Sequence, residues 1–387
     1  MWFFAKNKRI YLDYAGATPL HPRARLAMRR CEGQSGNPGA IHQEAVHAAR
    51  ALDEARRIIA GELACKPREL IFTSGGTESN NLAILGAARR LVLAGTLKKT
   101  HWVVSSIEHP SVLECFAEIE RMGGVVTHAD PDKHGIIHPD TVLRAIRKNT
   151  VLVSVGWANG EIGTVQPLRD IAFALQAHPH VLLHSDAGQA PLYLAPQVHT
   201  LGVDMLSLDS GKLYGPRGIG ALYLSNRVEL APVLLGGGQE RGLRPGTENP
   251  LLATGFAEAL RACGEEREGE VRRLQALRKV FLASVLSISG TVVNGEKRVL
   301  PNIVNISIPG IQSEYVTLAL DARGIALSTK SACREGNNRR SHVVEALGGD
   351  TWRAENTLRF SFGRDTSESD VLRAVQELEK IVADNPS

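Results

Sequence analysis

Apolar positions along the first 225 or so residues switch between two periods. Residues 43–60 (QEAVHAARALDEARRIIA) place them at helical spacing, and 69–74 (ELIFTS) is a short strand-like run that ends in glycines. Residues 80–94 read as a helix rich in Ala and Leu. Short apolar runs follow at 102–104 (WVV), 124–127 (GVVT), 151–155 (VLVSV), 181–183 (VLL), 203–208 (VDMLSL) and 219–224 (IGALYL), with helical stretches such as 112–121 and 140–147 between them. Short strands separated by helices predict a mostly parallel sheet covered by helices on both faces. Ligands of such sheets sit outside the carboxyl ends of the strands, so the residues just past each strand are where chemistry is to be sought.

The pattern breaks at 236–250 (GGGQERGLRPGTENP), too rich in Gly and Pro for regular structure. Residues 252–286 then form a long helical pattern with charged patches. The last hundred residues mix short strands (303–308, 358–362) with helices (313–322, 368–383), which suits a smaller α+β domain. No internal repeat or low-complexity tract interrupts this two-domain α/β reading.

Composition removes several classes of function. Of 387 residues, 43% are hydrophobic and 22% charged, which excludes disorder, collagen-like repeats and coiled coils. The 45 Lys and Arg against 41 Asp and Glu leave a formal +4, too weak to argue for direct nucleic-acid binding. No apolar run approaches the roughly 18–20 residues of a membrane helix. The apolar cluster at Trp2–Phe4 precedes Lys6, Lys8 and Arg9, the reverse of a signal peptide. A soluble, cytoplasmic protein is expected. Cys31, Cys65, Cys115, Cys263 and Cys333 form no CxxC pair, so neither a disulfide framework nor a zinc ribbon is suggested. His134 and His138 are interrupted by Gly135, which argues against a helix presenting both to a metal, and none is expected.

Three strand ends carry candidate chemistry. In 72–81 (FTSGGTESNN) a strand runs through Gly75, Gly76 and Thr77 into a helix, so free N–H groups meet the positive end of a helix dipole; this suits a phosphate or carboxylate, or equally an ordinary capped helix. Asp186 in 184–189 (HSDAGQ) follows the VLL strand and needs a partner, either a cationic heterocycle nitrogen or a helix N-terminus. Lys212, in the turn-rich LSLDSGKLYGPRGIG, is a Schiff-base candidate where partly buried and a surface lysine otherwise. A lysine for an aldehyde, an acid for a ring nitrogen and an anion cradle are together what pyridoxal 5'-phosphate requires.

At these residues the sequence resembles the NifS/IscS-like cysteine desulfurases, in the class V aminotransferase branch of pyridoxal-phosphate enzymes of fold type I. The resemblance runs almost end to end: YLDYAGATP (11–19), GNPGAIH (36–42), FTSGGTESNNLAI (72–84), EHPSV (108–112), WANGEIGTVQP (157–167), HSDAGQA (184–190), the lysine segment, GGGQERGLRPGTEN (236–249), SAC (331–333) and LRFSFGR (358–364). It implies a large cofactor domain over 15–250, with a mostly parallel mixed sheet flanked by helices. A small α+β domain would comprise 1–14 and 251–387 and carry the Cys333 loop.

The same resemblance implies roles. Lys212 would bind the cofactor aldehyde and shuttle a proton, and His109 would stack on the ring as an acid/base group. Asp186 would pair with the ring nitrogen and Gln189 with the ring hydroxyl. Gly76 and Thr77 would hold the phosphate, with Thr247 from the second subunit of a homodimer. Arg359 would clamp the substrate carboxylate, and Cys333 would attack the sulfur of L-cysteine, leaving L-alanine and an enzyme persulfide for an acceptor protein of iron–sulfur assembly or tRNA thiolation. The basic neighbours Lys330, Arg334, Arg339 and Arg340 favour the Cys333 thiolate.

Two segments depart from the family's pattern. Where the group has Ser-Gly-His-Lys, this chain has Asp209-Ser210-Gly211-Lys212, which removes two phosphate donors and adds a carboxylate. Ser210 could restore one donor and Arg217 could offset Asp209. Where the group has Asn-Asn-Glu, this chain has Asn159-Gly160-Glu161, so the ring and substrate contact is either missing or taken over by Asn159. These departures keep two other expectations open: a different class V aminotransferase or lyase, and a non-catalytic dimeric scaffold that binds cofactor poorly.

Overall fold

The computed structural model describes residues 9–329 and 340–385. Twelve strands lie in these residues. In chain order they are β1 (Ile10–Tyr11), β2 (Leu70–Thr73), β3 (His101–Ser105), β4 (Val125–Ala129), β5 (Thr150–Ser154), β6 (Leu182–Asp186), β7 (Met205–Asp209), β8 (Gly220–Leu224), β9 (Val292–Asn294), β10 (Ile303–Ser307), β11 (Ile325–Ala326) and β12 (Thr357–Ser361). Seven form one sheet in the order β2-β8-β7-β6-β5-β3-β4. Neighbouring pairs from β7 to β4 are parallel, and β8 runs antiparallel to both β2 and β7. The fold is therefore α/β, with a mixed, mostly parallel central sheet flanked by helices. Strands β2, β3 and β8 are buried at every position, as helices on both faces demand. Edge strand β4 leaves Val125 and His128 exposed.

The remaining strands make two smaller assemblies. β10 lies between β12 and β9 in an antiparallel sheet, and β1 pairs in parallel with β11, Ile10 opposite Ile325. The helix Pro250–Val285, 36 residues long, opens with Pro250 in its first turn and Asn249 Oδ1 accepting from Leu252 N. Its first half packs on helices Pro22–Cys31 and Gln43–Leu63, and it also packs against the C-terminal helix Glu368–Ala383. Near its end Phe281 meets Phe360 of β12 at 4.8 Å between ring centroids and Phe362 at 5.5 Å, all three fully buried.

Element boundaries match the sequence pattern to within about three residues, with one larger and instructive difference. The helix expected from Asn80 starts at Gly76. Two glycines argue against helix in isolation. Here Glu78 Oε2 accepts from Ser74 N at 2.6 Å, and the Glu78 carboxylate is itself held by Arg244. Among the described residues no helix is long and apolar enough to cross a membrane, and no group of three or more His, Cys, Asp or Glu could hold a metal ion.

The Phe281 cluster fastens the long helix to the small antiparallel sheet. Phe281→Ala is expected to destabilise the protein by about 3–5 kcal/mol, read as a lowered urea midpoint in far-ultraviolet circular dichroism. A change under about 1 kcal/mol would show that the site collapses around the lost ring.

Candidate active site

Asp186 is the last residue of β6, and Lys212 sits in a 3-10 turn directly after β7. The two strands are adjacent and parallel, so their following turns meet at one edge of the sheet. Gly188 lets them converge: a methyl group there would lie 3.2 Å from Asp186 Oδ1 and 3.6 Å from Lys212 Cδ. A cavity opens at this point. Its walls include Ala15, Gly16, Glu108, His109, Asn159, Asp186, Gln189, Lys212, His342 and Arg359.

A chain of hydrogen bonds orients the acid and the imidazole. Asp186 Oδ1 accepts from Gly188 N at 2.8 Å and Oδ2 from Asn80 Nδ2 at 2.7 Å. The same amide nitrogen donates to Ser111 Oγ at 2.9 Å. Ser111 in turn approaches His109 Nδ1 with its hydroxyl at 2.8 Å and donates its backbone N–H at 3.1 Å. With Nδ1 accepting, a neutral His109 carries its proton on Nε2. Burial holds the His109 pKa below its ordinary value, Lys212 lowers it further, and Asp186 and Asp209 pull the other way. The imidazole is neutral at pH 7. Asn80 was given no role by sequence, although a polar side chain 1% exposed on a helix must find partners somewhere.

Glu108 is a second residue that the sequence did not single out. Its carboxyl is buried and accepts from Gly156 N at 2.8 Å. Burial pushes its pKa up to about 8 against that hydrogen bond, and the negative Asp186 adds to the rise.

The glycine turn that opens helix Gly76–Leu93 is not part of the cavity wall, but it touches the strand end that leads into Lys212 through Asp209. Gly76 N donates to Asp209 Oδ2 at 3.0 Å, and Gly211 N donates to Asp209 Oδ1 at 2.8 Å. The departure from Ser to Asp thus places a carboxylate on the N–H expected to hold a phosphate. Ser210 does not restore a donor: its hydroxyl is buried against Gly215 with no hydrogen-bond partner. Arg217 is exposed and makes no ion pair with Asp209. Backbone closeness fixes this turn, because any side chain at Gly220 would collide with Gly75 at 2.7 Å and with Leu208 O at 2.5 Å. Thr77 and Thr247 are exposed and do not line the cavity within one chain.

Arg359 is 3% exposed on β12. Its Nη1 donates to Gly160 O at 2.8 Å, its Nη2 pairs with Asp13 Oδ1 at 2.7 Å, and its Nε is buried with no partner. Asn159 lines the cavity as well. Its Nδ2 donates to Ile107 O, and its Oδ1 accepts from the N–H groups of Glu161 and Ile162. The amide folds its own turn with its oxygen and one N–H, and its second N–H is left for a ligand. Gln189 lines the cavity with its Nε2 committed to Ala15 O at 2.8 Å.

Cys333 lies outside the described residues. The residues on either side reach the site: Ser328 exchanges backbone hydrogen bonds with Arg359, and His342 lines the cavity with its Nε2 3.1 Å from Glu108 O. Ser341 bonds to Glu161, which also lines it. Burial pushes the thiols of Cys65, Cys115 and Cys263 up to about 12, which makes them poor nucleophiles, and Cys31 is buried.

Known proteins match this chain closely. The aminotransferase class V family matches residues 10–373. The chain is 37% identical to a cysteine desulfurase IscS of Dictyoglomus turgidum over 97% of this chain and 95% of that protein. It is 40% identical to a mitochondrial cysteine desulfurase of Arthroderma benhamiae over 96% and 74% of the two. Among solved structures, a NifS-like protein superposes with a TM-score of 0.89 at 28% identity, covering 97% of this chain and 99% of that one. SspA in complex with cysteine gives 0.80 at 35%, covering 91% and 98%.

The raised Glu108 pKa has a sign that can be checked. Between pH about 4.5 and 8 the unfolded chain releases a proton that the folded chain keeps, so this group's contribution to stability is present in acid and lost as pH rises. Glu108→Gln keeps an acceptor oxygen for Gly156 N–H and removes the titration. It is expected to be more stable than the parent by roughly 1–3 kcal/mol at pH 8 and about equal at pH 4.5 in urea denaturation. A difference independent of pH would refute the assignment.

Proposed function

The chain belongs to the cysteine desulfurases of the class V aminotransferase family, and from that premise we propose that it converts L-cysteine to L-alanine with Cys333 taking the sulfur as a persulfide. The observation that carries this reading is the convergence of Asp186 and Lys212 over Gly188, in a cavity that also holds His109 and the unpartnered Nε of Arg359.

The ring end of the cavity fits a pyridoxal group. Asp186 is a pinned acceptor suited to a ring nitrogen, Lys212 supplies an amine for the aldehyde, and His109 offers a neutral ring held by Ser111. Gln189 would meet the ring hydroxyl, and Gly76 and Thr77 would face the phosphate in competition with Asp209, with Thr247 contributed by a second copy in a homodimer. Pyridoxal 5'-phosphate bound there would supply an electron sink for charge developing at the substrate carbons.

The chain's own groups would do the rest. Arg359 would take the cysteine carboxylate with its free Nε–H, its approach fixed by Gly160 O and Asp13. Lys212 would move the proton at the substrate Cα. His109, proton-bearing at Nε2, would serve as acid or base beside it. The Cys333 thiolate would attack the substrate sulfur: the S–S bond forms as the C–S bond breaks, its electron pair returns to carbon, and a proton completes alanine. Cys333 is five residues from Ser328, so chain length alone keeps it within about 18 Å of the Arg359 strand. A cytoplasmic homodimer handing sulfur to a protein of iron–sulfur assembly or tRNA thiolation completes the proposal.

Cys333→Ser is expected to keep Lys212-dependent binding of pyridoxal 5'-phosphate while alanine release from cysteine falls at least a hundredfold. Lys212→Ala should lose both. Undiminished turnover by the Cys333→Ser protein, measured as alanine formed, would remove Cys333 from the mechanism.

A further inference from the structure

We propose that Asp209 sets what the cofactor pocket accepts at its phosphate end. Its carboxylate already holds the anion seat of the glycine turn, so the pocket discriminates against a dianionic arm and favours a B6 aldehyde whose arm is uncharged, relative to the same pocket without this carboxylate. The inference rests on the pyridoxal reading above.

Four observations converge. First, the N–H of Gly76, at the start of an 18-residue helix, is engaged by Asp209 Oδ2 at 3.0 Å. The helix dipole and free N–H groups are what such a turn offers an anion; the chain's own carboxylate takes the Gly76 N–H and sets a negative charge against the dipole. Second, Asp209 cannot swing aside freely. Its other oxygen caps the turn that bears Lys212 through Gly211 N at 2.8 Å, so releasing the carboxylate loosens the lysine turn. Third, among the described residues no cation lies within ion-pair distance of Asp209. Arg217 passes its aliphatic stem near Gly211 and its head is exposed. Fourth, the turn has no room to retreat, because Gly220 is pressed against Gly75 and the neighbouring Ser210 hydroxyl is buried against Gly215.

A phosphate dianion entering here would therefore share two N–H groups with an uncompensated carboxylate. An uncharged hydroxymethyl arm, as in pyridoxal, meets an acceptor to which it can donate. Nothing at the ring end changes between the two aldehydes, so the discrimination falls on the arm alone.

The test uses the full-length protein freed of cofactor and titrated with pyridoxal and with pyridoxal 5'-phosphate, following the imine absorbance that Lys212→Ala abolishes. Asp209→Ser and Asp209→Asn are each expected to tighten binding of the phosphorylated aldehyde at least tenfold, with pyridoxal changing less than threefold. Asp209→Asn is close in shape and keeps an acceptor oxygen, and circular dichroism reports whether each variant is folded. An unchanged ratio of the two affinities in the folded variants overturns the role of Asp209 and leaves the pyridoxal reading standing. Absence of a Lys212-dependent imine with either aldehyde, in parent and variants alike, overturns both.

Discussion

The site depends on a constraint set by strand direction. Parallel strands β7, β6, β5 and β3 end on the same edge of the sheet, and the backbone groups of the turns that follow have no ladder partner. Side chains must satisfy them. Asp186 accepts from Gly188, Asp209 from Gly211, Glu108 from Gly156, and Asn159 from Glu161 and Ile162. Three of these four residues, Asp186, Glu108 and Asn159, also line the cavity. Structure and chemistry draw on the same short list of carboxylates and amides.

That dependence explains the electrostatics. Glu108, Glu161 and Asp186 line the cavity with Lys212 and Arg359, and Asp13 is paired to Arg359 beside it. Four negative charges against two positive ones would strain a buried cavity. Glu108, kept protonated towards pH 8 by burial and by Asp186, relieves one of them. Arg359 is tied to Asp13 and Gly160 O, and so joins three distant stretches of chain around the place where a substrate carboxylate would lie. Neutral His109 completes an arrangement in which the amine and the guanidinium are the cations of the cavity wall.

Much of this was legible in the sequence because it is local. Strands were visible as apolar runs and the helices 313–322 and 368–383 as periodic patterns with their observed limits. Lys212 and Asp186 stood out because each follows such a run. Asn80 and Glu108 did not, since their meaning lies in partners far along the chain: Asn80 is 106 residues from Asp186, and Glu108 is 48 from Gly156. Asn159 shows the opposite case. Its side chain answers backbone needs two and three residues away, a local competition that its position at the pocket conceals. The start of the helix at Gly76 was hidden because its support comes from Glu78 and from Arg244, 166 residues further on.

The pairing of β1 with β11 has a consequence for how the molecule is made. Ile10 meets Ile325 only when more than three hundred residues have followed it from the ribosome. During synthesis that amino-terminal strand waits with an open ladder while the central sheet, closed within residues 70–224, can assemble without it. Asp13 waits with it, so the guanidinium of Arg359 acquires its counter-ion only after residue 359 has been made, and a nascent chain has no finished cavity until these two distant segments have met.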